Sequence, residues 1–200
     1  MKKLFLALLI SLAFTGVMAQ TPDALTPGAN IPMAVTKMKS TTGKEVSIND
    51  VKKKNGVLVV FSCNTCPYVK KYRTRTVEMI AEAAKKEIGV IFINSNEELR
   101  TSDDSYTAMQ QYAKEQGYKN IDYVIDTKSV VADAFNANRT PECFLFNAAG
   151  KLVYHGAVDD NPNAAGIKRK HLLLAMSELI DGKEVSIKET RSVGCMIKRL

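Results

Sequence analysis

Apolar residues occur along this chain as short continuous runs separated by segments with helical spacing. The first strong run, Val57–Phe61, is β-branched and aromatic and predicts a buried strand. The segment from Cys66 to Lys86 predicts a helix, because apolar or small residues recur at helical spacing, at Val69, Tyr72, Thr76, Ile80 and Ala83. A strand therefore passes almost directly into a helix after Phe61.

Downstream of this junction the pattern predicts a strand, a helix, a strand, a short helix, a β-hairpin and a closing amphipathic helix. In chain order these segments are residues 88–94, 102–116, 123–126, 129–135, 142–147 with 152–155, and 164–180. Upstream, residues 33–36 and 45–48 flank a turn at 41–44 and predict another hairpin. Strands alternating with helices and followed by a hairpin predict an α/β fold with a mixed central sheet flanked by helices.

Residues 1–19 have the features of a secretory signal peptide. Lys2 and Lys3 precede an apolar core from Leu4 to Val17, and small or apolar residues allow cleavage near Ala19. The core is short for a membrane span, and no later segment approaches about 18 uninterrupted apolar residues. We therefore expect export to a periplasm, one domain at residues 20–200 and no stable membrane insertion after cleavage.

Charge and cysteine content narrow the function classes. The formal net charge is +7, but Lys and Arg are scattered among acids, so we do not expect nucleic-acid binding. The four cysteines are too few to staple a domain of this length. His155 and His171 have no metal-ligand spacing relative to any cysteine, so we predict neither a metal site nor a cofactor.

Cys63 and Cys66 carry the strongest chemical signal, because they lie where the strand passes into the helix, in the sequence F-S-C-N-T-C-P. Amide N–H groups and the helix dipole stabilise an anion at a helix start, so a thiolate there has a lowered pKa and acts as a nucleophile. A purely structural disulfide is disfavoured, since so short a loop constrains the unfolded chain very little. The pair predicts thiol–disulfide chemistry.

This C-x-x-C junction, together with Thr140-Pro141 before a hairpin, resembles the thioredoxin fold. The opening Gly28-x-x-Ile31-Pro32 and the turn Thr42-Gly43-Lys44 resemble the amino-terminal hairpin extension of its redoxin branch, which includes peroxiredoxins and TlpA/ResA-type periplasmic oxidoreductases. The stretches C-N-T-C-P-Y-V-K, T-P-E-C-F-L-F-N and V-G-C-M-I-K are similar to an exported, peroxiredoxin-like thioredoxin subgroup.

The resemblance implies roles for individual residues. Cys63 would attack a disulfide of a cysteine-containing exported protein, and Cys66 would resolve the mixed disulfide. Thr140-Pro141 would be a cis peptide, which leaves the Thr140 backbone free to pair with the incoming peptide. Thr65 stands where relatives have histidine, so we expect a less oxidising pair and hence a reductase supplied with electrons by a membrane partner.

Side chains beyond this pair leave alternatives open. Val57 stands where many thioredoxins have a buried acid, and Glu142 is the nearest replacement, although an exposed strand-end acid is the simpler interpretation. Three interpretations of Cys143 and Cys195 compete: a structural disulfide between them, a relay in which Cys195 accepts the disulfide from the active pair, and two inert thiols. The oxidising compartment slightly favours the first interpretation.

Two other functions compete with the oxidoreductase. A thiol peroxidase is suggested by the redoxin extension, but peroxiredoxins have Thr or Ser three residues before the reactive cysteine, where this chain has Cys63 before Cys66. A copper(I) carrier resembling Sco proteins requires a wider cysteine spacing and a histidine ligand, although thiolates alone bind copper(I). Both remain alternatives to exchange of disulfides with client proteins.

Overall fold

Two fully buried parallel strands form the centre of the sheet in the computed structural model, which describes residues 25–118 and 120–200. They are β3 (Val57–Phe61) and β4 (Gly89–Asn94), paired with Val57 opposite Gly89 and Phe61 opposite Ile93. Apolar side chains cover both faces of these strands, which is why their sequences are continuous apolar runs. The predicted signal segment, residues 1–19, lies outside the described residues.

The sheet has seven strands in the order β2-β1-β5-β4-β3-β7-β8. The strand β5 is parallel to β4, whereas β7 is antiparallel to β3, β8 to β7, and β1 to both β5 and β2. The bounds of these outer strands are Met38–Ser40 for β1, Glu45–Val46 for β2, Asp122–Ile125 for β5, Glu142–Phe146 for β7 and Leu152–Gly156 for β8. The predicted mixed sheet with an amino-terminal hairpin extension is confirmed.

Six α-helices surround this sheet in the part of the chain that the structure describes. They are α1 Ile48–Val51, α2 Pro67–Lys71, α3 Arg73–Lys85, α4 Tyr106–Glu115, α5 Val130–Phe135 and α6 His171–Ile180. Single 3₁₀ turns occur at Thr127–Ser129 and Ala164–Gly166. None of the helices in residues 25–118 and 120–200 is long and apolar enough to cross a membrane.

Three predicted segments differ from the structure. The hairpin turn at 41–44 is present, but its first strand begins at Met38, because residues around Met33 form a turn in which Met33 has a φ of 47°. The closing helix begins at His171, since Asp160 hydrogen-bonds the backbone of Lys168 and Arg169 and holds the preceding segment as a loop. The helix predicted from Cys66 to Lys86 is divided at Tyr72, which separates α2 from α3.

The side chains of β3 divide the core into two layers. Leu58 and Val60 face one layer together with Cys63, Cys66 and Cys143. The alternate residues of the strand face the other layer, which contains Phe135, Phe144 and Phe146. The active-site cysteines therefore belong to the layer that contains Tyr72 and Met79 of the α2–α3 segment and Leu172 of α6.

Candidate active site beneath the carboxyl-terminal tail

Cys63 and Cys66 lie in the short connection between β3 and α2. The helix begins at Pro67, and Cys66 is its N-cap residue, so Cys66 rather than Cys63 lies directly at the helix start. Proline is compatible with this first helical position because its missing N–H has no partner within the helix. Both cysteines are buried, with 2% and 3% of their surfaces exposed. Neither sulfur is therefore open to an external protein in this conformation.

The Thr140–Pro141 peptide packs against both sulfurs. It is cis, as the resemblance implies. The Thr140 hydroxyl lies 3.5 Å from Cys63 Sγ, and the Cys66 thiol donates to the Thr140 carbonyl oxygen over 3.1 Å. The structure thus brings together all four residues that the sequence assigns to the pair and its peptide-binding loop.

The backbone edge at Thr140 is already occupied by the chain itself. Arg139–Thr140 forms a short strand, β6, which pairs antiparallel with Cys195–Met196, β9, so that Thr140 lies opposite Cys195. Gly194 lies so close that a Cβ there would be 2.1 Å from the Thr140 carbonyl oxygen. The expectation that this edge is free for an incoming peptide is therefore wrong for this conformation.

Contacts of residues 197–199, which follow β9, hold the carboxyl-terminal tail in place. Ile197 is buried, and its N–H donates to the Asn138 carbonyl oxygen over 3.0 Å. The Lys198 N–H donates to Asn96 Oδ1, and the Arg199 guanidinium pairs with Asp133 at 2.7 Å. Since Ile197 belongs to the apolar layer on the far side of the sheet, β9 is tethered at its carboxyl-terminal side.

The structure separates the two cysteines that the sequence grouped as a second pair. Cys143 is completely buried in β7, opposite Val60 and Gly156. Cys195 is half-buried and packs against the core cluster that contains Cys66. All four cysteines are free thiols, so the favoured Cys143–Cys195 disulfide is absent from the structure. The pairing of Cys195 with Thr140 explains this arrangement, because it directs the tail to the active pair.

The paired sulfurs differ in acidity. The Cys63 thiol donates to the Cys66 sulfur, which raises the pKa of Cys63, and burial raises it further. The same contact is the largest cause of a lowered pKa for Cys66, which the Cys195 thiol and the Val69 N–H also favour, whereas burial opposes it. The Thr140 carbonyl bond persists only in the protonated form and is lost on ionisation. Hydrogen bonding between the two sulfurs thus favours ionisation of Cys66 over ionisation of Cys63.

Asp104 is a buried acid near this pair that sequence reasoning missed. Its carboxylate accepts from the Asn64 N–H at 2.9 Å, and from the side-chain amides of Asn94 at 2.8 Å and Asn96 at 2.9 Å. Its charge contributes to the raised pKa of Cys63. The sequence places Asp104 in Ser-Asp-Asp before a helix, which reads as a helix start, and Ser105 is indeed the N-cap of α4. No local pattern distinguishes the buried acid from an ordinary cap.

Glu142 fixes the cis-proline loop. It is buried, accepts from the backbone N–H groups of Asn138 and Arg139 over 2.8 Å, and pairs with His155 at 2.7 Å. Burial opposes its ionisation, but these bonds outweigh burial and lower the pKa of Glu142. The His155 ring stacks on Phe144, so His155 is a structural partner of this carboxylate. The interpretation of Glu142 as an exposed strand-end acid is wrong, because Glu142 is buried and anchors this loop.

The described residues contain no cluster of side chains that could bind a metal ion. Within residues 25–118 and 120–200, no group of three or more His, Cys, Asp or Glu side chains has the arrangement of a metal site. The site contains the buried Cys63–Cys66 dithiol, the Cys195 thiol packed against the same cluster, and the short strand β9 along the cis-proline loop. This arrangement suits exchange of disulfides between sulfurs.

Comparison with known proteins agrees with this chemistry. Residues 26–170 match the Redoxin family. The thiol-disulfide oxidoreductase ResA of Bacillus subtilis is 27% identical over 131 residues, which are 66% of this chain and 67% of ResA.

Two solved structures share nearly the whole fold. An uncharacterized conserved protein from Geobacillus kaustophilus has a TM-score of 0.81 and 30% identity, over 89% of this chain and 94% of that one. A hypothetical protein from Sinorhizobium meliloti has a TM-score of 0.79 and 28% identity, over 89% and 97% of the two chains. The chain therefore belongs to the Redoxin family and, with its paired sulfurs on this fold, is a thiol–disulfide oxidoreductase.

Proposed function

We propose that this protein is exported and reduces disulfides in other exported proteins through Cys63 and Cys66. The single observation that carries the proposal is the pairing of the short strand β9 with Thr140, which packs a cysteine against the cluster that contains Cys66. A client strand that displaces β9 would present its own sulfur in the same way. Extended peptides commonly bind by adding a strand to an open edge.

We infer that Cys66, in place of Cys63, is the attacking sulfur, because Cys66 is the N-cap residue of α2 and the hydrogen bond from the Cys63 thiol lowers its pKa. The Cys66 thiolate attacks one sulfur of the client disulfide, forming a mixed disulfide and releasing the other client sulfur as a thiolate that takes up a proton. Cys63 then loses its proton and attacks Cys66 Sγ, which closes the Cys63–Cys66 disulfide and releases the second client thiol. Two electrons pass from the protein to the client, and a membrane electron donor would return them.

Export and the direction of electron flow are inferred from the sequence. The amino-terminal segment 1–19 has the pattern of a signal peptide with cleavage near Ala19, which supports a periplasmic location. Thr65, between the two cysteines, offers only a hydroxyl where a protonated histidine would favour the thiolate, which supports a reducing pair.

Two measurements on the mature protein test this function. We expect it to catalyse reduction of insulin by dithiothreitol, and its Cys63–Cys66 couple to have a midpoint near that of thioredoxin, about −270 mV. A midpoint higher by about 100 mV or more would contradict the reducing direction and indicate an oxidase or isomerase.

Parallel assays separate the alternative functions. We expect neither rapid turnover of hydrogen peroxide nor tight binding of copper(I) by the reduced protein. Efficient peroxide turnover that requires Cys66, without insulin reduction, would identify a peroxidase. Stoichiometric copper(I) binding without insulin reduction would identify a carrier.

A further inference from the structure

We propose that Cys195 is a third redox-active cysteine, which takes over the disulfide from Cys63–Cys66 by attacking Cys66. The inference deepens the proposed function and rests on it, because the Cys63–Cys66 disulfide is the product of client reduction. The tail would then take part in the reaction through Cys195 and would not only cover the active site.

Access to the sulfurs is the first argument. Exchange requires the attacking sulfur to approach the disulfide directly, and the site that is attacked must be reachable. Cys63 and Cys66 are 2% and 3% exposed, so an external thiol does not reach them while the tail is in place. Cys195 is half-buried, packs against the cluster that contains Cys66, and lies opposite Thr140, whose carbonyl oxygen is 3.1 Å from Cys66 Sγ. Cys195 is therefore the sulfur through which the buried disulfide connects to the surface.

The position of Cys195 is fixed by several independent contacts, which is the second argument. Its backbone pairs with Thr140, and Gly194 makes the close approach to the Thr140 carbonyl that a larger residue would prevent. Two residues further on, the buried Ile197 tethers the tail. The position of Cys195 beside the cluster that contains Cys66 is therefore built into the fold.

Charge supplies a third argument, because it links the reactivity of Cys195 to the state of the pair. In the reduced protein, burial and the neighbouring Cys66 sulfur raise the pKa of Cys195 to about 11, while the Tyr68 N–H and Lys198 oppose this. When Cys66 forms a disulfide its negative charge disappears, so one cause of the raised pKa is lost and the opposing groups remain. Cys195 thus becomes a better nucleophile when a disulfide is present to attack.

The step is balanced within the chain. Cys195 loses its proton, and its sulfur forms a bond with Cys66 Sγ as the Cys63–Cys66 bond breaks. Cys63 leaves with the electron pair and takes up a proton, so the number of disulfides is unchanged and no external oxidant is needed. The resulting Cys66–Cys195 disulfide includes a half-buried sulfur that an electron donor can attack.

Peptide mapping tests the predicted bond, because trypsin places the cysteines on three separate peptides. Residues 55–70 contain Cys63 and Cys66, residues 140–151 contain Cys143, and residues 192–198 contain Cys195. In the Cys63→Ser variant oxidised with diamide, we expect peptides 55–70 and 192–198 to be joined by one disulfide in most molecules. The same variant carrying Cys143→Ala serves as the control and should give the same product. Failure to join these peptides, or joining of 55–70 to 140–151, would overturn the proposal.

A kinetic test distinguishes this relay from the proposed function itself. With Cys195→Ser, we expect reduction of the Cys63–Cys66 disulfide by glutathione to slow by roughly tenfold or more, since the buried disulfide loses its route to the surface. Single-turnover reduction of insulin by the reduced Cys195→Ser protein should persist, because the client displaces the tail. Unchanged or faster reduction by glutathione would refute the relay alone, whereas loss of insulin reduction in the wild-type protein would refute the proposed function.

Discussion

Cys66→Ser is expected to lower insulin reduction by a factor on the order of a thousand or more, to the uncatalysed rate, because it removes the sulfur that carries the thiolate. Cys66 lies at the start of α2, and the neighbouring Cys63 and Cys195 thiols lower its pKa. Turbidity of insulin measured with dithiothreitol as the reductant gives the rate.

Cys63→Ser should also prevent multiple turnover but through a different defect. With Cys195→Ser added to block attack on Cys66 by the tail, the variant retains the Cys66 thiol, so we expect it to accumulate a mixed disulfide with insulin that non-reducing electrophoresis detects, whereas Cys66→Ser should form none. Cys143→Ala is the matched control, since Cys143 is buried in β7 away from the tail and should leave the rate nearly unchanged. A mixed disulfide that accumulates in Cys66→Ser and not in Cys63→Ser would return the attacking role to Cys63.

The second large effect is on stability: Asp159→Asn and Arg75→Met are each expected to lower the free energy of unfolding by about 3–5 kcal/mol. The two side chains form a buried ion pair, with Arg75 Nη1 2.7 Å from Asp159 Oδ2 and side chains only 7% and 1% exposed. Removing one partner leaves the other buried and unpaired, and this accounts for the size of the expected loss.

Additional bonds make this ion pair a junction between α3 and the loop before α6. The Arg75 guanidinium also donates to the carbonyl oxygens of Lys71, Asn161 and Pro162 over 2.7–3.0 Å. It lies over the Tyr72 ring, 3.8 Å from its centre. Because Tyr72 separates α2 from α3, this junction also supports the helix that carries Cys66 at its start.

An exposed ion pair between the same two regions provides the control. Lys170 lies 2.6 Å from Glu78, but both side chains are nearly half exposed. We expect Lys170→Met to cost less than about 1 kcal/mol in urea denaturation. Comparable losses for Lys170→Met and Arg75→Met, or a loss below 1 kcal/mol for Asp159→Asn, would contradict the role assigned to the buried pair.

The parts of the fold that the sequence predicts correctly are those with a local signal. The apolar run Val57–Phe61 indicates a strand covered on both faces, and it forms the centre of the sheet. The turn at 41–44, the hairpin after Pro141 and the junction at the cysteine pair likewise depend on residues close together in the chain.

The parts that it does not predict depend on contacts between distant polar residues. Arg75 and Asp159 lie 84 residues apart in the sequence, and no local pattern links them, yet they form one buried pair. Asp104 reads as a helix start and becomes the acceptor for Asn64, 40 residues away. No sequence pattern predicts the pairing of Cys195 with Thr140, because each residue lies in a strand of only two residues. That the tail covers the active site is therefore visible only in the three-dimensional structure.

The most direct test of the central claim is the oxidation state of peptide 55–70 through one catalytic cycle. Reduced protein should yield this peptide with both cysteines open to alkylation by iodoacetamide after denaturation. A protein mixed with one equivalent of insulin should yield it unalkylated and about 2 Da lighter, with the disulfide lost again on addition of dithiothreitol. In this test Cys195→Ser is used, so that the disulfide stays on Cys63 and Cys66. Two cysteines that remain alkylatable while insulin is reduced would contradict the account.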